Sequence, residues 1–88
     1  MFFTYILYNL KNRKYYIGST NNLLRRFHEH QHNQEVATKN HGPWDMVHWE
    51  SFPSHKEALA REHYFKSGAG YRWRINHSAD WFNSAPPR

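Results

Sequence analysis

The sequence predicts an α+β domain in which a three-stranded antiparallel sheet is flanked by helices, in the order β-β-α-β-α-α. Three observations carry this. Two β-branched and aromatic runs stand either side of a short polar turn near the start of the chain; the apolar spacing then changes from period two to that of a helix; and a capping box follows a third alternating run.

Phe2 to Leu10 places Phe3, Tyr5 and Leu7 on one face and Phe2, Ile6 and Tyr8 on the other, the pattern of a central strand covered on both sides. Lys11-Asn12-Arg13 is a polar turn, and Lys14 to Gly18 makes the second strand of an antiparallel hairpin, with Gly18 ending it. Ser19 to Asn22 supply capping side chains for a helix from Leu23 to His30, whose apolar face is read as Leu23, Leu24 and Phe27. His32 to Pro43 has no period and reads as an exposed loop of functional length. Trp44 to Phe52 alternates, Trp44, Met46, His48 and Glu50 against Asp45, Val47, Trp49 and Ser51, and Pro53 terminates it. Ser54 at N-cap and Glu57 at N3 open a helix running through Phe65, which Gly68 and Gly70 are expected to stop. Tyr71 to Phe82 forms a last helix, and residues 84–88 a frayed tail, so a single domain is expected over residues 1–83.

The chain has 88 residues, enough for one core, and that core draws its apolar volume from four Trp, six Tyr and six Phe. The aromatic content argues against intrinsic disorder despite a mean hydropathy of −1.02. Absence of cysteine removes disulfides, thiolate zinc sites and Cys nucleophiles. No apolar run is long enough to span a bilayer and the first residues lack a basic leader, so no membrane partner and a cytoplasmic location are expected. Twelve Lys and Arg against seven Asp and Glu give a net charge of +5, which favours a polyanionic partner because phosphate neutralisation releases counterions.

Glu62 lies four residues after Ala58 and three before Phe65, at the border of the apolar helix face. Two readings stand: an ordinary surface pair with Lys66 at i+4, or a metal ligand or acid–base group facing a pocket. Tyr5 and Tyr16 sit on adjacent strands, where their hydroxyls either meet at one edge or merely pack. Adjacent guanidiniums at Arg25 and Arg26 diverge by about 100° on a helix. Arg26, three residues after Leu23, is the one nearer the buried edge, with His30 one turn on. His28 and His32 have zinc-clip spacing, but neither a His-Glu-x-x-His sequence nor a cysteine supports them. No nucleophile-elbow Gly-x-Ser-x-Gly occurs.

Taken in order, Phe3-Thr4-Tyr5, Tyr16-Ile17-Gly18, Arg26, His30 and Glu62 make a set that resembles the GIY-YIG nuclease family, over Phe3 to Gly70. The likeness is strongest to small standalone members, through Tyr5 to Tyr8, Tyr15 to Leu23, Arg25-Arg26 and Lys66-Ser67-Gly68, and extends to the nuclease domains of excision-repair and structure-specific endonuclease subunits. Phe3-Thr4 replaces the Gly-Ile of the first motif. The resemblance implies a divalent-metal-dependent endonuclease acting on DNA. Glu62 would hold one Mg2+ or Mn2+, Tyr16 would be the general base, Arg26 the phosphate clamp, and Tyr5 and His30 would orient water or relay protons. Lys14 would favour phenolate character at Tyr16, and Asn76 is the candidate for an Asn near the end of such domains. Lys14, Arg25, Lys39 and Lys66, with Lys11, Arg13 and the aromatic segment Tyr71 to Trp81, would bind nucleic acid, with specificity for its structure or supplied by a partner protein. A non-cleaving nucleic-acid-binding module in a repair or recombination complex is the alternative.

Overall fold

The computed structural model describes residues 1–9, 11, 13–31 and 44–83, with side chains to residue 78. The elements are β1 (Phe2–Asn9), β2 (Tyr15–Thr20), α1 (Leu23–Gln31), β3 (Trp44–Phe52), α2 (His55–Phe65) and α3 (Gly68–Asn83), the expected α+β order. The sheet order is β2-β1-β3, antiparallel throughout, so β1 is central as its two-sided apolar pattern requires. No helix of the described residues is long and apolar enough to cross a membrane. Residues 84–88 and the loop over 32–43 lie outside the described residues.

β1 ends at Asn9, which organises the hairpin connection. Its backbone N–H donates to the Lys14 carbonyl and its carbonyl accepts from Arg13 N–H, each at 2.9 Å, while its side-chain oxygen accepts from Lys11 N–H. Arg13 takes φ 60°, the left-handed conformation that reverses the chain. β2 therefore begins at Tyr15, not Lys14.

The sheet separates two cores. On one face Tyr5, Leu7 and Trp44 pack with Tyr16, Met46 and the α1 residues Leu23 and Phe27. On the other, Ile6, Ile17 and Phe65 pack with Tyr15, Val47, Tyr64 and Trp73, bringing α2 and α3 against the sheet. The Thr4 hydroxyl, fully buried, donates to the Ala58 carbonyl at 2.6 Å and ties β1 to α2.

Four expectations are corrected. Leu24 is 85% exposed, because Leu23 and Phe27 alone turn to the sheet. Gly18 lies inside β2, paired with Tyr5, and does not end it. The alternation of β3 breaks at a register irregularity between Ile6 and Leu7, where Leu7 pairs with Met46 but Ile6 with His48. Val47 is the extra residue, so Trp44 and Met46 share a face with Trp49, while His48 and Glu50 turn towards α2. Lastly, Gly68 and Gly70 belong to α3. The Ser67 hydroxyl accepts from Gly70 N–H, and a side chain at Gly70 would run into the Tyr64 and Phe65 backbone, so glycine here permits a close helix crossing.

Candidate functional site

Pairing of Tyr5 with Gly18 and of Leu7 with Tyr16 puts Tyr5 and Tyr16 on the α1 face. Their ring centroids are 6.4 Å apart. α1 starts at the Asn22 side chain, which accepts from Arg25 N–H at 3.0 Å, and this phase turns Arg26 and His30 towards the same face. His30, fully buried, sets Nε2 at 2.9 Å from the Tyr5 hydroxyl and its ring 4.8 Å from that of Tyr16. Arg26 donates from Nε to the Tyr5 hydroxyl at 3.4 Å and from its terminal nitrogen to Glu29 at 3.1 Å. The Tyr5 hydroxyl thus joins the Arg26 guanidinium to the His30 imidazole, the direction of the Tyr5–His30 bond being set by the His30 tautomer. Gly18 makes the room: a Cβ there would stand 2.6 Å from the Tyr5 hydroxyl.

The arrangement divides the roles. Tyr5 and His30 have no exposed surface and act as a supporting pair, whereas Tyr16 and Arg26 are partly exposed and reach the surface beside them. Arg25 is the more exposed guanidinium, donating to Asn21 at 3.1 Å with Glu29 at 4.0 Å. Arg26 also lines a cavity of about 290 Å3 together with Phe2, Ser19, Thr20, Asn21, Arg25 and His55.

Glu62 stands on α2, its side chain 14% exposed. Its carboxylate meets Lys66 Nζ at 2.6 Å, and among the described residues that is its side-chain partner. Arg61, the residue before it, reaches β3 through Glu50, so helix geometry turns Glu62 away from β3 and towards the β2 side of α2. Lys66 is the i+4 partner that the surface-pair reading names, although the Glu62 side chain itself is largely buried. Among the described residues no three His, Asp or Glu side chains stand close enough to share an ion. The donor set at Glu62 is one carboxylate engaged by an ammonium, so an Mg2+ or Mn2+ held there would take the rest of its shell from water and substrate phosphate.

Residues 1–76 match the family model described as the GIY-YIG catalytic domain. The chain belongs to the GIY-YIG family. This GIY-YIG domain is 40% identical over 68 residues to a UPF0213 protein of Limosilactobacillus reuteri (strain DSM 20016), covering 74% of this chain and 70% of the relative. It is 37% identical over 67 residues to a UPF0213 protein of Clostridium perfringens (strain 13 / Type A), covering 75% and 71%. The solution NMR structure of a UPF0213 protein from Bacillus halodurans superposes with a TM-score of 0.53 at 29% identity, covering 86% of this chain and 84% of that one. These likenesses are to UPF0213 proteins, and the finer expectation of kinship with excision-repair subunits gains nothing from them.

The other sequence-predicted residues of the GIY-YIG domain scatter. Lys14 is exposed one residue ahead of β2, where its carbonyl accepts from Asn9 N–H. Lys66 is half-exposed and engaged by Glu62, Asn76 is exposed on α3, and Lys39 lies outside the described residues. His28 is exposed, and its expected zinc partner His32 lies outside the described residues.

Sequence reading missed two features. One is the cavity: Phe2 and His55, distant in the chain, stack at 5.3 Å, a contact without a motif. The other is a polar cluster on the α2 face, where Glu50 accepts from Arg61 at 2.9 Å and pairs with His48 at 2.8 Å. Burial works to raise the Glu50 carboxyl, yet the hydrogen bonds from Arg61 and His48 hold it below its ordinary value. The Arg61 guanidinium also lies 4.5 Å from the Phe65 ring centre. The Val47 bulge is what turns His48 to this side, and no local sequence signal marks it.

Proposed function

We propose that this GIY-YIG domain binds nucleic acid, DNA first among candidates, on the α1 face, with the Arg26 guanidinium meeting a backbone phosphate beside the Tyr16 hydroxyl. The observation that carries the reading is the chain from Arg26 through Tyr5 to His30, which holds a guanidinium and a phenol side by side on a rigid sheet–helix junction. The net charge of +5 and the family's association with nucleic acid support the same partner class. Fluorescence anisotropy of labelled duplex and branched DNA against salt tests it. The logarithm of the affinity falls linearly with the logarithm of salt concentration, and Arg26→Ala weakens binding and reduces that slope by about one. Affinity independent of salt, or an unaltered Arg26→Ala protein, defeats the reading.

A second reading is metal-dependent phosphodiester hydrolysis with Tyr16 as base, favoured by the convergence of both tyrosines, Arg26 and His30. It requires Glu62 to exchange Lys66 for Mg2+ or Mn2+, the rest of the shell coming from water and substrate phosphate. Incubating plasmid or branched DNA with either ion decides between the two: cleavage abolished by both Glu62→Ala and Tyr16→Phe selects the enzyme, and binding without turnover selects the module.

A further inference from the structure

The cavity that shares Arg26 with the tyrosine cluster has a lining of mixed chemistry. One wall is aromatic, the Phe2 and His55 rings stacked at 5.3 Å and 26° between planes, with His55 itself exposed. Ser19, Thr20, Asn21, Arg25 and Arg26 complete the lining, with the Arg25 guanidinium donating to Asn21 at 3.1 Å. Each element contributes for a structural reason. Phe2 and Ser19 lie at the same end of the sheet, His55 is the first residue of α2 after its Ser54 cap, and Arg25 is in the first turn of α1. The ends of two strands and the starts of two helices thus meet around one opening. An aromatic pair that can stack, lining one opening together with polar side chains and two guanidiniums, matches one ligand class: a nucleobase attached to a phosphate. The volume of about 290 Å3 is near the lower end for small-ligand sites and suits one nucleotide unit.

We infer that this cavity is a subsite for a single nucleotide neighbouring the phosphate at Arg26, its base extending the Phe2–His55 stack and its own phosphate on Arg25. The inference rests on the nucleic-acid-binding reading above and deepens it. Two residues reach past the tyrosine cluster to a flanking position, so binding there favours a strand whose base is unpaired, because only a base out of the duplex stack can join an aromatic pair.

The test compares two probes on the full chain by fluorescence anisotropy: a short single-stranded DNA oligomer, and an abasic phosphodiester oligomer of equal length. The parent protein binds the base-bearing strand more tightly. His55→Ala loses about five- to a hundredfold on that strand and is unchanged on the abasic one, while Arg25→Ala weakens both. His55→Leu, which keeps apolar bulk without a stacking face, behaves as His55→Ala, and His55→Phe retains the preference. NMR amide shifts on adding the DNA oligomer centre on Phe2, Asn21 and His55. Equal affinity of the parent and His55→Ala for the DNA oligomer, or shifts confined to α3, overturns the subsite while leaving the nucleic-acid reading standing. A parent that binds duplex or branched DNA but neither probe likewise overturns the subsite, and one that binds none of these overturns that reading itself.

Discussion

Replacing Gly18 by alanine sets a methyl carbon 2.6 Å from the Tyr5 hydroxyl oxygen and 2.8 Å from the ring carbon that bears it. The first approach is about 0.8 Å short of an ordinary contact. A long side chain on the surface would swing away at little cost, but Tyr5 has no exposed surface and its hydroxyl is held by His30 at 2.9 Å. Moving the ring stretches that bond and the one from Arg26. Overpacking of this kind costs about 1–3 kcal/mol, and a weakened hydrogen bond adds about 1 kcal/mol. Alanine recovers about 0.5–1 kcal/mol through its smaller backbone entropy. The net loss is about 1–3 kcal/mol, read as a lower urea midpoint or a melting temperature down by about 5–20 °C. The double variant Gly18→Ala with Tyr5→Phe removes the oxygen that clashes most, so the two changes together cost less than their sum. A Gly18→Ala protein as stable as its parent, or strictly additive effects in the double variant, would refute the account of why glycine stands inside β2.

Three further outcomes are expected. Glu50 titrates below its ordinary value when folded, so it stabilises the fold above pH about 4.5 and loses that contribution as pH falls through the folded value; Glu50→Gln flattens the fall in urea midpoint as pH drops below about 4.5. Ser54 accepts from Glu57 N–H at 3.2 Å, and Ser54→Ala lowers stability by about 1 kcal/mol in the same assay. The Lys66 side chain is half-exposed, so Lys66→Ala costs under about 1 kcal/mol, and by freeing the Glu62 carboxylate it strengthens Mg2+ or Mn2+ binding in calorimetry if that carboxylate takes an ion.

The element order was legible because it rests on local signals. Alternation marked the strands, Ser54 with Glu57 marked the start of α2, and the two-sided apolar run marked β1 as the central strand. Tyr5, Tyr16, Arg26 and His30 were legible as residue types at telling positions, and the hairpin register with the phase of α1 does bring them together. Local reading failed where a neighbour in space set the outcome. Gly18 was taken for a strand end because the ring it accommodates comes from another strand. Leu24 was taken for core because adjacent leucines look alike until a helix is seated on a sheet.

Composition and short-range pattern determined the α+β class, the basic character and the identity of the side chains available for chemistry, since these depend on residues within a few positions of one another. Tertiary structure alone decided which of them meet. It set the Tyr5 phenol between His30 and Arg26, sent Glu62 to Lys66, turned His48 towards Arg61 through one extra residue in β3, and stacked Phe2 on His55 beside Arg25. Each of those outcomes depends on strand register or helix phase, where a shift of one residue sends a side chain to the opposite face of a strand or about 100° round a helix.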